Sequence, residues 1–300
     1  MPKNVLITGA SSGFGRLITL SLLERGHRVV ASMRRLATKN KQVAQELRAA
    51  GAITVEIDVT DQQSVETGVA EALTHFDCIH VLVNNAGVGV VGLQENFTPD
   101  DWQRLFNVNV FGVQRMNRAV LPHMRACREG LLIFLSSILA RLTLPFYGPY
   151  NASKWAIEAM AENYRVELSE FGIESCLVEP GGYPTTFMNN LMQPSDHSRD
   201  ESYGKLAQVV HDMFANFEQA LAATPAQDPQ NVANAVVALV DGTPGERPFR
   251  TIVDKMGMGE LLTDYNAQLE RITHQLYESF GMADMLEVKP PPSDIQGTPL

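Results

Sequence analysis

Cysteine is scarce in this 300-residue sequence, and histidine shows no metal-binding pattern. The three cysteines, Cys78, Cys127 and Cys176, lie far apart, are odd in number and include no CxxC pair. They suggest no disulfide framework, so we expect small buried thiols in a reducing compartment. The seven histidines are scattered without ligand spacing. The sequence therefore predicts no metal site.

Positive charge and long apolar runs are also in short supply. The formal net charge of -10 argues against a nucleic-acid partner, because phosphates attract basic surfaces. The first apolar run ends at Thr8 and Gly9, too early for a signal peptide or a membrane span. With 45% hydrophobic and 19% charged residues, the composition is typical of a folded protein. We expect a cytoplasmic protein with no membrane span.

Short apolar runs alternate with segments of helical period along most of the chain. This rhythm is typical of a parallel sheet connected by right-handed crossovers. We predict an α/β fold, a Rossmann-type doubly wound parallel sheet of about seven strands with helices on both faces. The predicted strands are 5–7, 29–33, 53–57, 79–83, 131–135, 173–178 and 249–253.

A glycine-rich loop follows the first predicted strand and precedes a helix. Gly9, Gly13 and Gly15 have the spacing G-x-x-x-G-x-G. Glycines permit a tight turn and close approach of a pyrophosphate to the free N–H groups of a helix N-terminus. In this strand–loop–helix context the motif predicts a dinucleotide site, whereas alone it could be only a turn.

The end of the second predicted strand indicates which dinucleotide binds. An acidic residue there would bind the ribose 2′-hydroxyl of NAD, but the chain has Arg34 and Arg35. A cationic pair suits a 2′-phosphate. We therefore predict NADP(H) rather than NAD(H), the alternative for these arginines being a solvated basic turn.

A tyrosine and a lysine four residues apart, Tyr150 and Lys154, open a long helical segment. Residues at this spacing lie on one helix face. Asn109 lies inside an apolar helix, where a buried amide indicates a polar network or a helix irregularity. Ser137 ends the fifth predicted strand and would face the same crevice as the dinucleotide.

Together these features resemble the short-chain dehydrogenase/reductase family over about residues 3–254. The branch that contains 17β-hydroxysteroid and retinol dehydrogenases is the most similar. The motifs are T-G-x-x-x-G-x-G at Thr8–Gly15, Asp58, N-N-A-G at Asn84–Gly87, Asn109, Ser137, Y-x-x-x-K at Tyr150–Lys154, and Pro180-Gly181.

The resemblance implies an oxidoreductase that interconverts a carbonyl and an alcohol by hydride transfer. Tyr150 would be the acid or base, with its pKa lowered by Lys154, which would also bind the nicotinamide ribose. Ser137 would orient the carbonyl and Asn109 would anchor a water. The implied cofactor contacts are Gly9, Ser11, Ser12, Gly13, Phe14, Gly15, Arg34, Arg35, Asp58, Val59, Asn85, Ala86, Gly87, Tyr150, Lys154, Pro180, Gly181 and Thr185.

The family site also implies where the small-molecule substrate lies. We expect contacts from Ser137, Leu139, Tyr147 and Tyr183, with Arg141 and Phe146 nearby. An apolar wall is expected from the amphipathic segment that follows, and it favours a fairly hydrophobic carbonyl or alcohol. Its candidate members, for which core packing is the alternative, are Phe187, Met188, Leu191, Met213 and Phe217.

We expect one dinucleotide-binding catalytic domain over residues 1–300. Residues 183–226 would be a substrate-lid insertion, and 255–300 a C-terminal helical extension with a mobile tail. The resemblance also implies a homodimer or homotetramer. Two other functions stay open: a non-catalytic NADP-binding sensor or scaffold on the same fold, and an epimerase or dehydratase that uses the same Tyr/Lys pair.

Overall fold

Seven parallel strands form one sheet in the computed structural model, which describes residues 1–289. The spatial order is β3-β2-β1-β4-β5-β6-β7, so the chain reverses direction across the sheet between β1 and β4. The strands are β1 Asn4–Ile7, β2 Arg28–Met33, β3 Ile53–Glu56, β4 Val81–Asn84, β5 Gly130–Leu135, β6 Ile173–Pro180 and β7 Arg250–Val253. The predicted doubly wound α/β fold is confirmed.

Ten α-helices connect or extend these strands within the described residues. They are α1 Gly13–Glu24, α2 Lys41–Ala49, α3 Gln62–Leu73, α4 Pro99–Phe106, α5 Gly112–Cys127, α6 Gly148–Glu167, α7 Asp200–Tyr203, α8 Lys205–Ala222, α9 Gln230–Asp241 and α10 Glu260–Ser279. None of the helices in residues 1–289 combines the length and apolar character needed to cross a bilayer. The predicted mobile tail from Pro290 onward lies outside the described residues.

Both faces of the sheet are covered because successive strand residues point to opposite sides. Val5 and Ile7 pack with α1, α2 and α9, whereas Leu6 between them packs with α3, α5 and α6. Strands buried on both faces read as continuous apolar runs. This burial leaves the carboxyl edge of the sheet as the place where polar side chains can meet a ligand.

The cysteine prediction is wrong for two of the three residues. A disulfide joins Cys78, before β4, to Cys127, the last residue of α5, and their Cα atoms lie 6.5 Å apart. Only the fold brings these residues together, since they are 49 positions apart in the sequence. Cys176 is a buried free thiol, and burial raises its pKa to about 12.

Asp101 ties the start of α4 to the chain beyond β6. Thr98 caps the helix, and its backbone N–H donates to Asp101 in a capping box. The fully buried carboxylate also accepts the backbone N–H of Ser195 at 3.1 Å and its hydroxyl at 2.7 Å. Burial alone would raise the pKa of Asp101, but hydrogen bonds from Ser195, Thr98 and Arg104 outweigh it and hold the pKa well below its ordinary value.

Replacing Asp101 by alanine should therefore lower the free energy of unfolding by about 2–4 kcal/mol, because several buried donors lose their acceptor. Asp100→Ala is the matched control, since the neighbouring carboxylate is exposed, and it should cost less than about 1 kcal/mol. Urea denaturation measures both. The difference in the free energy of unfolding between the wild type and Asp101→Ala should narrow below about pH 4. A carboxylate whose pKa is lower in the folded state contributes stability that is lost on acidification. Equal effects of the two substitutions would contradict this assignment.

Candidate active site

A cleft of about 750 Å³ opens along the carboxyl edge of the sheet. Among the residues that the structure describes, four cations line it, Arg34, Arg35, Lys39 and Lys154, against the single carboxylate of Asp58. The cleft is thus positively charged in a chain whose net charge is -10, as an anionic ligand requires. Every residue predicted to contact the cofactor borders the cleft except Gly15.

The glycine-rich loop is compact because it packs directly on the end of β4. Gly9 has φ +69°, and a Cβ there would lie 2.9 Å from the Cα of Ala86. At Gly15 a Cβ would lie 2.5 Å from both the Asn85 amide and the Gly9 carbonyl. Gly15 therefore serves close packing behind the cleft, which explains why it does not line it. Ser12, Gly13 and Phe14 at the start of α1 border the cleft, and the first N–H groups of a helix, which have no partner within it, suit a pyrophosphate.

Asn85 holds this loop in place. Its side-chain amide donates to the carbonyls of Thr8 at 2.8 Å and Gly9 at 3.2 Å. Its backbone N–H donates to the Thr8 hydroxyl at 3.1 Å. The Asn85 side chain is thus turned toward the loop after β1, and the residue shapes the cleft from behind.

The turn after β2 carries the basic residues. Burial alone would raise the pKa of Asp58, but hydrogen bonds from Thr60 and the charges of Arg34 and Arg35 hold it below its ordinary value. Both arginines therefore act electrostatically on the end of β3. Lys39 borders the same part of the cleft and was missed by the sequence analysis. Its place in the basic turn five residues after Arg34 was the available signal.

The end of β5 faces the first turns of α6 and brings three predicted residues together. Ser137, Tyr150 and Lys154 are 7–9% exposed and all border the cleft. The Lys154 ammonium donates to the carbonyl of Leu135 at 2.7 Å and lies 5.6 Å from the centre of the Tyr150 ring. A tyrosine, a lysine and a serine hydroxyl thus converge at one end of the cleft.

Burial acts oppositely on the two titratable groups of this cluster. It raises the pKa of Tyr150 above its ordinary value, and the Ser137 hydroxyl opposes this shift only in part. Burial lowers the pKa of Lys154 to about 8, against the opposing charge of Glu158. The expected lowering of the Tyr150 pKa is therefore not seen in this structure, where desolvation of the buried phenol is the largest effect on it.

Asn109 lies in an irregular helix, as one of the two sequence interpretations predicted. Residues Asn107–Phe111 form a π-helix between α4 and α5. The Asn109 amide exchanges hydrogen bonds with the backbone of Val88, both at 2.9 Å, and donates to the Ser153 hydroxyl at 3.1 Å. Asn109 therefore lies behind the cleft and ties α6 to the loop that follows β4.

The far half of the cleft is apolar. All five candidate wall residues border it, and the Phe187 ring lies 5.8 Å from the Tyr150 ring. The part of this segment with Phe187 and Leu191 packs closely against Gly89, where a Cβ would lie 2.5 Å from both side chains. Sequence analysis missed further lining residues here because only the fold brings them to the cleft. They are Val88, Gly89, Leu144, Asn190 and Met258.

The predicted substrate contacts divide into two groups. Leu139 and Tyr147 border the apolar half, as expected. Tyr183 borders the cleft, but its ring packs edge-on against Phe14 at 5.5 Å and its hydroxyl donates to the Val253 carbonyl. The expectation for Arg141 is wrong, since its guanidinium is buried in ion pairs with Glu158 and Glu162. Phe146 borders a separate surface groove beside Trp102 and Trp155.

Comparisons with known proteins agree with this geometry. Residues 3–196 match the short chain dehydrogenase family. The chain is 38% identical over 202 residues to 3-ketodihydrosphingosine reductase of Bacteroides thetaiotaomicron, which covers 67% of this chain and 72% of the relative. It is 35% identical over 251 residues to human retinol dehydrogenase 8, covering 81% of this chain and 79% of the relative.

A solved structure shows the same fold with a bound nicotinamide nucleotide. The 3-ketoacyl-(acyl-carrier-protein) reductase of Brucella melitensis, complexed with NADH, superposes with a TM-score of 0.71 at 26% identity. The match covers 86% of this chain and 98% of that one. Fold, converging site residues and matched family thus agree: the chain belongs to the short-chain dehydrogenase/reductase family, whose members carry out NAD(P)-dependent oxidoreduction.

Proposed function

We propose that this chain is an NADP(H)-dependent oxidoreductase that interconverts a carbonyl and a secondary or primary alcohol on a fairly hydrophobic substrate. The observation that carries the proposal is the convergence of Ser137, Tyr150 and Lys154 between a cationic and an apolar half of one cleft. A sensor or scaffold would need the cationic half alone. An epimerase or dehydratase for nucleotide-sugars would gain nothing from the apolar half.

The residues of the cationic half fit a phosphorylated dinucleotide. The start of α1 would take the pyrophosphate, and Arg34, Arg35 and Lys39 the 2′-phosphate. When bound, the nicotinamide supplies or accepts the hydride. Lys154 would donate to the ribose hydroxyls, since its ammonium stands at the cleft beside Leu135.

Ser137 and Tyr150 would hold the substrate oxygen and move its proton. Their two hydroxyls can donate together to one carbonyl oxygen, which polarises the carbonyl and fixes its orientation. Because burial raises the pKa of Tyr150, the phenol is protonated at neutral pH and can act as the acid in reduction. In the alcohol direction the same oxygen must first lose its proton, which requires the cationic Lys154 beside it. Asn109 would position Tyr150 and Lys154 through its hydrogen bond to Ser153, which lies between them on α6.

The apolar half suggests the substrate class. We propose that residues 183–226 form a lid whose inner face is the apolar wall. Met192 forms an isolated parallel β-bridge with Val90, and its backbone N–H donates to the Gly89 carbonyl at 2.9 Å. An aliphatic or aromatic chain attached to the carbonyl would lie against Leu191, Met213 and Phe217.

Tyr150→Phe should reduce turnover of the best carbonyl substrate with NADPH by at least about 100-fold, because the proton donor is lost. The dissociation constant for NADPH should change by less than about threefold, since the cofactor contacts remain. Tyr164→Phe is the matched control on the same helix, since its hydroxyl binds Gln114 and it does not border the cleft, and it should keep most of its turnover. Stopped-flow kinetics and fluorescence titration measure the two quantities. Retained activity in Tyr150→Phe would refute the acid role.

Arg34→Ala should raise the Michaelis constant for NADPH about 10- to 100-fold, since a charge-assisted contact contributes about 1.5–3 kcal/mol. The constant for NADH should change by less than about threefold because NADH carries no 2′-phosphate. Arg48→Ala, an exposed residue on α2, controls for the lost charge. Equal effects on the two cofactors would contradict the NADP assignment.

A homologous series of methyl ketones tests the apolar half. We expect kcat/KM to rise about fourfold for each added methylene until the cavity is filled, since each buried methylene contributes about 0.8 kcal/mol. Leu191→Asn should flatten this slope, whereas Leu206→Asn, on the exposed face of α8, should leave it unchanged. Activity confined to small charged carbonyls would overturn the substrate class.

A further inference from the structure

The end of β5 makes a second contact with α6 that the proposed mechanism does not use. The hydroxyl of Ser136 donates to the Glu158 carboxylate, and both side chains are almost fully buried. Glu158 stands one helical turn beyond Lys154, just as Lys154 stands one turn beyond Tyr150. Leu135 and Ser136 thus contact two successive turns of the helix, at Lys154 and Glu158.

Glu158 also holds the chain on the other side of Ser137. Its second carboxylate oxygen accepts from the Arg141 guanidinium at 2.8 Å. Arg141 directly follows the short helical turn Ile138–Ala140, and Ser137 is the N-cap of that turn. One carboxylate is therefore bound to the residue before Ser137 and to the end of the turn after it.

The same carboxylate contributes negative charge beside Lys154. Glu158 is 1% exposed, and its charge opposes the effect of burial on the pKa of Lys154. Arg141 and Arg250 belong to the same network, where each also pairs with Glu162 and Glu179. The polar and titratable groups around Glu158 and Lys154 are Ser136, Ser137 and Arg141 after β5, Tyr150 and Glu162 on α6, Glu179 on β6, Arg250 on β7, and Asn266 and Glu270 on α10.

We propose that Glu158 is a positioning residue for the active site, fixing the segment that carries Ser137 and supplying the negative charge that faces Lys154. The inference rests on the proposed function, in which Ser137 orients the carbonyl and a cationic Lys154 serves Tyr150. It assigns Glu158 no contact with the substrate. A merely structural ion pair would stabilise the fold without acting on either group.

Glu158→Gln tests the proposal because it keeps the shape of the side chain and removes its charge. In ketone reduction with NADPH, kcat should fall at least about 10-fold. The alkaline limb of its pH profile should move down by about one pH unit, because Lys154 without the facing anion loses its proton at lower pH. Glu270→Gln is the matched control, since Glu270 pairs with Arg165 and Arg250 in the same network but not with the Ser137 segment. The control should show neither change.

A second readout does not depend on turnover. The titration of Lys154 can be followed by NMR of side-chain 15N-labelled lysine in the full chain, with Lys154→Met for assignment. The midpoint should fall in Glu158→Gln and stay in place in Glu270→Gln. Equal midpoints in the wild type and Glu158→Gln would overturn the inference. A wild type that reduces no carbonyl would contradict the proposed function, while this titration would still decide the role of Glu158.

Ser136→Ala keeps the proposal falsifiable if Glu158→Gln does not fold. It removes the hydroxyl that binds Glu158 and leaves the carboxylate and Arg141 in place. We expect kcat to fall about three- to tenfold, with the Lys154 midpoint unchanged. A kcat equal to that of the wild type would overturn the positioning of Ser137 by Glu158.

Discussion

The parallel direction of all seven strands is the constraint on which the site depends. Parallel strands must be covered on both faces by crossover helices, so the faces are committed to the core. Their carboxyl ends all meet at one edge, and the order reverses between β1 and β4. Residues from the ends of β1, β2, β3, β4, β5 and β6 can therefore border one cleft although they span more than 170 positions in the chain. The residues of the cleft therefore lie at the edge of the sheet, because both faces of the sheet are covered by the core.

Burial at the end of β5 then decides the electrostatics. Tyr150 and Lys154 are both nearly inaccessible to solvent, and desolvation disfavours the charged form of each. The phenol is thereby kept protonated, while the ammonium needs compensation. That compensation comes from the Leu135 carbonyl and the charge of Glu158. The pKa of Lys154, about 8, already includes the opposing charge of Glu158, so without that charge a larger fraction of the lysine would be neutral at physiological pH.

Much of the fold follows from local sequence, because helix starts and buried strands have local causes. Thr98, Pro99 and Asp101 specify the start of α4 within four residues, and continuous apolar runs identify the strands. The spacing of Tyr150 and Lys154 follows from helical geometry alone. Even the π-helix had a signal, since Asn109 is a polar residue in an apolar helix that must find partners.

What the sequence could not predict depends on contacts between distant residues. Cys78 and Cys127 meet only because β4 and α5 pack side by side, and no spacing rule reports that. Arg141 was expected near the substrate, yet its guanidinium pairs with Glu158 and Glu162 on α6 and does not border the cleft. The effect of burial on pKa values is equally non-local, because burial depends on all the elements packed around a residue. The sequence therefore identifies residue types suited to the chemistry, and only the packing decides their protonation and direction.

The segment that follows β6 and carries the apolar wall combines both kinds of information. Its amphipathic period is local, but its position depends on Gly89, where any side chain would displace Leu191 and Phe187. Close approach at Gly89 brings the Phe187 ring beside Tyr150, so the same contact that closes the apolar wall also removes water from the phenol. The shape of the apolar wall and the burial of Tyr150 therefore depend on the same packing. A substitution that loosens the wall should change the pH dependence of turnover as well as the preferred chain length.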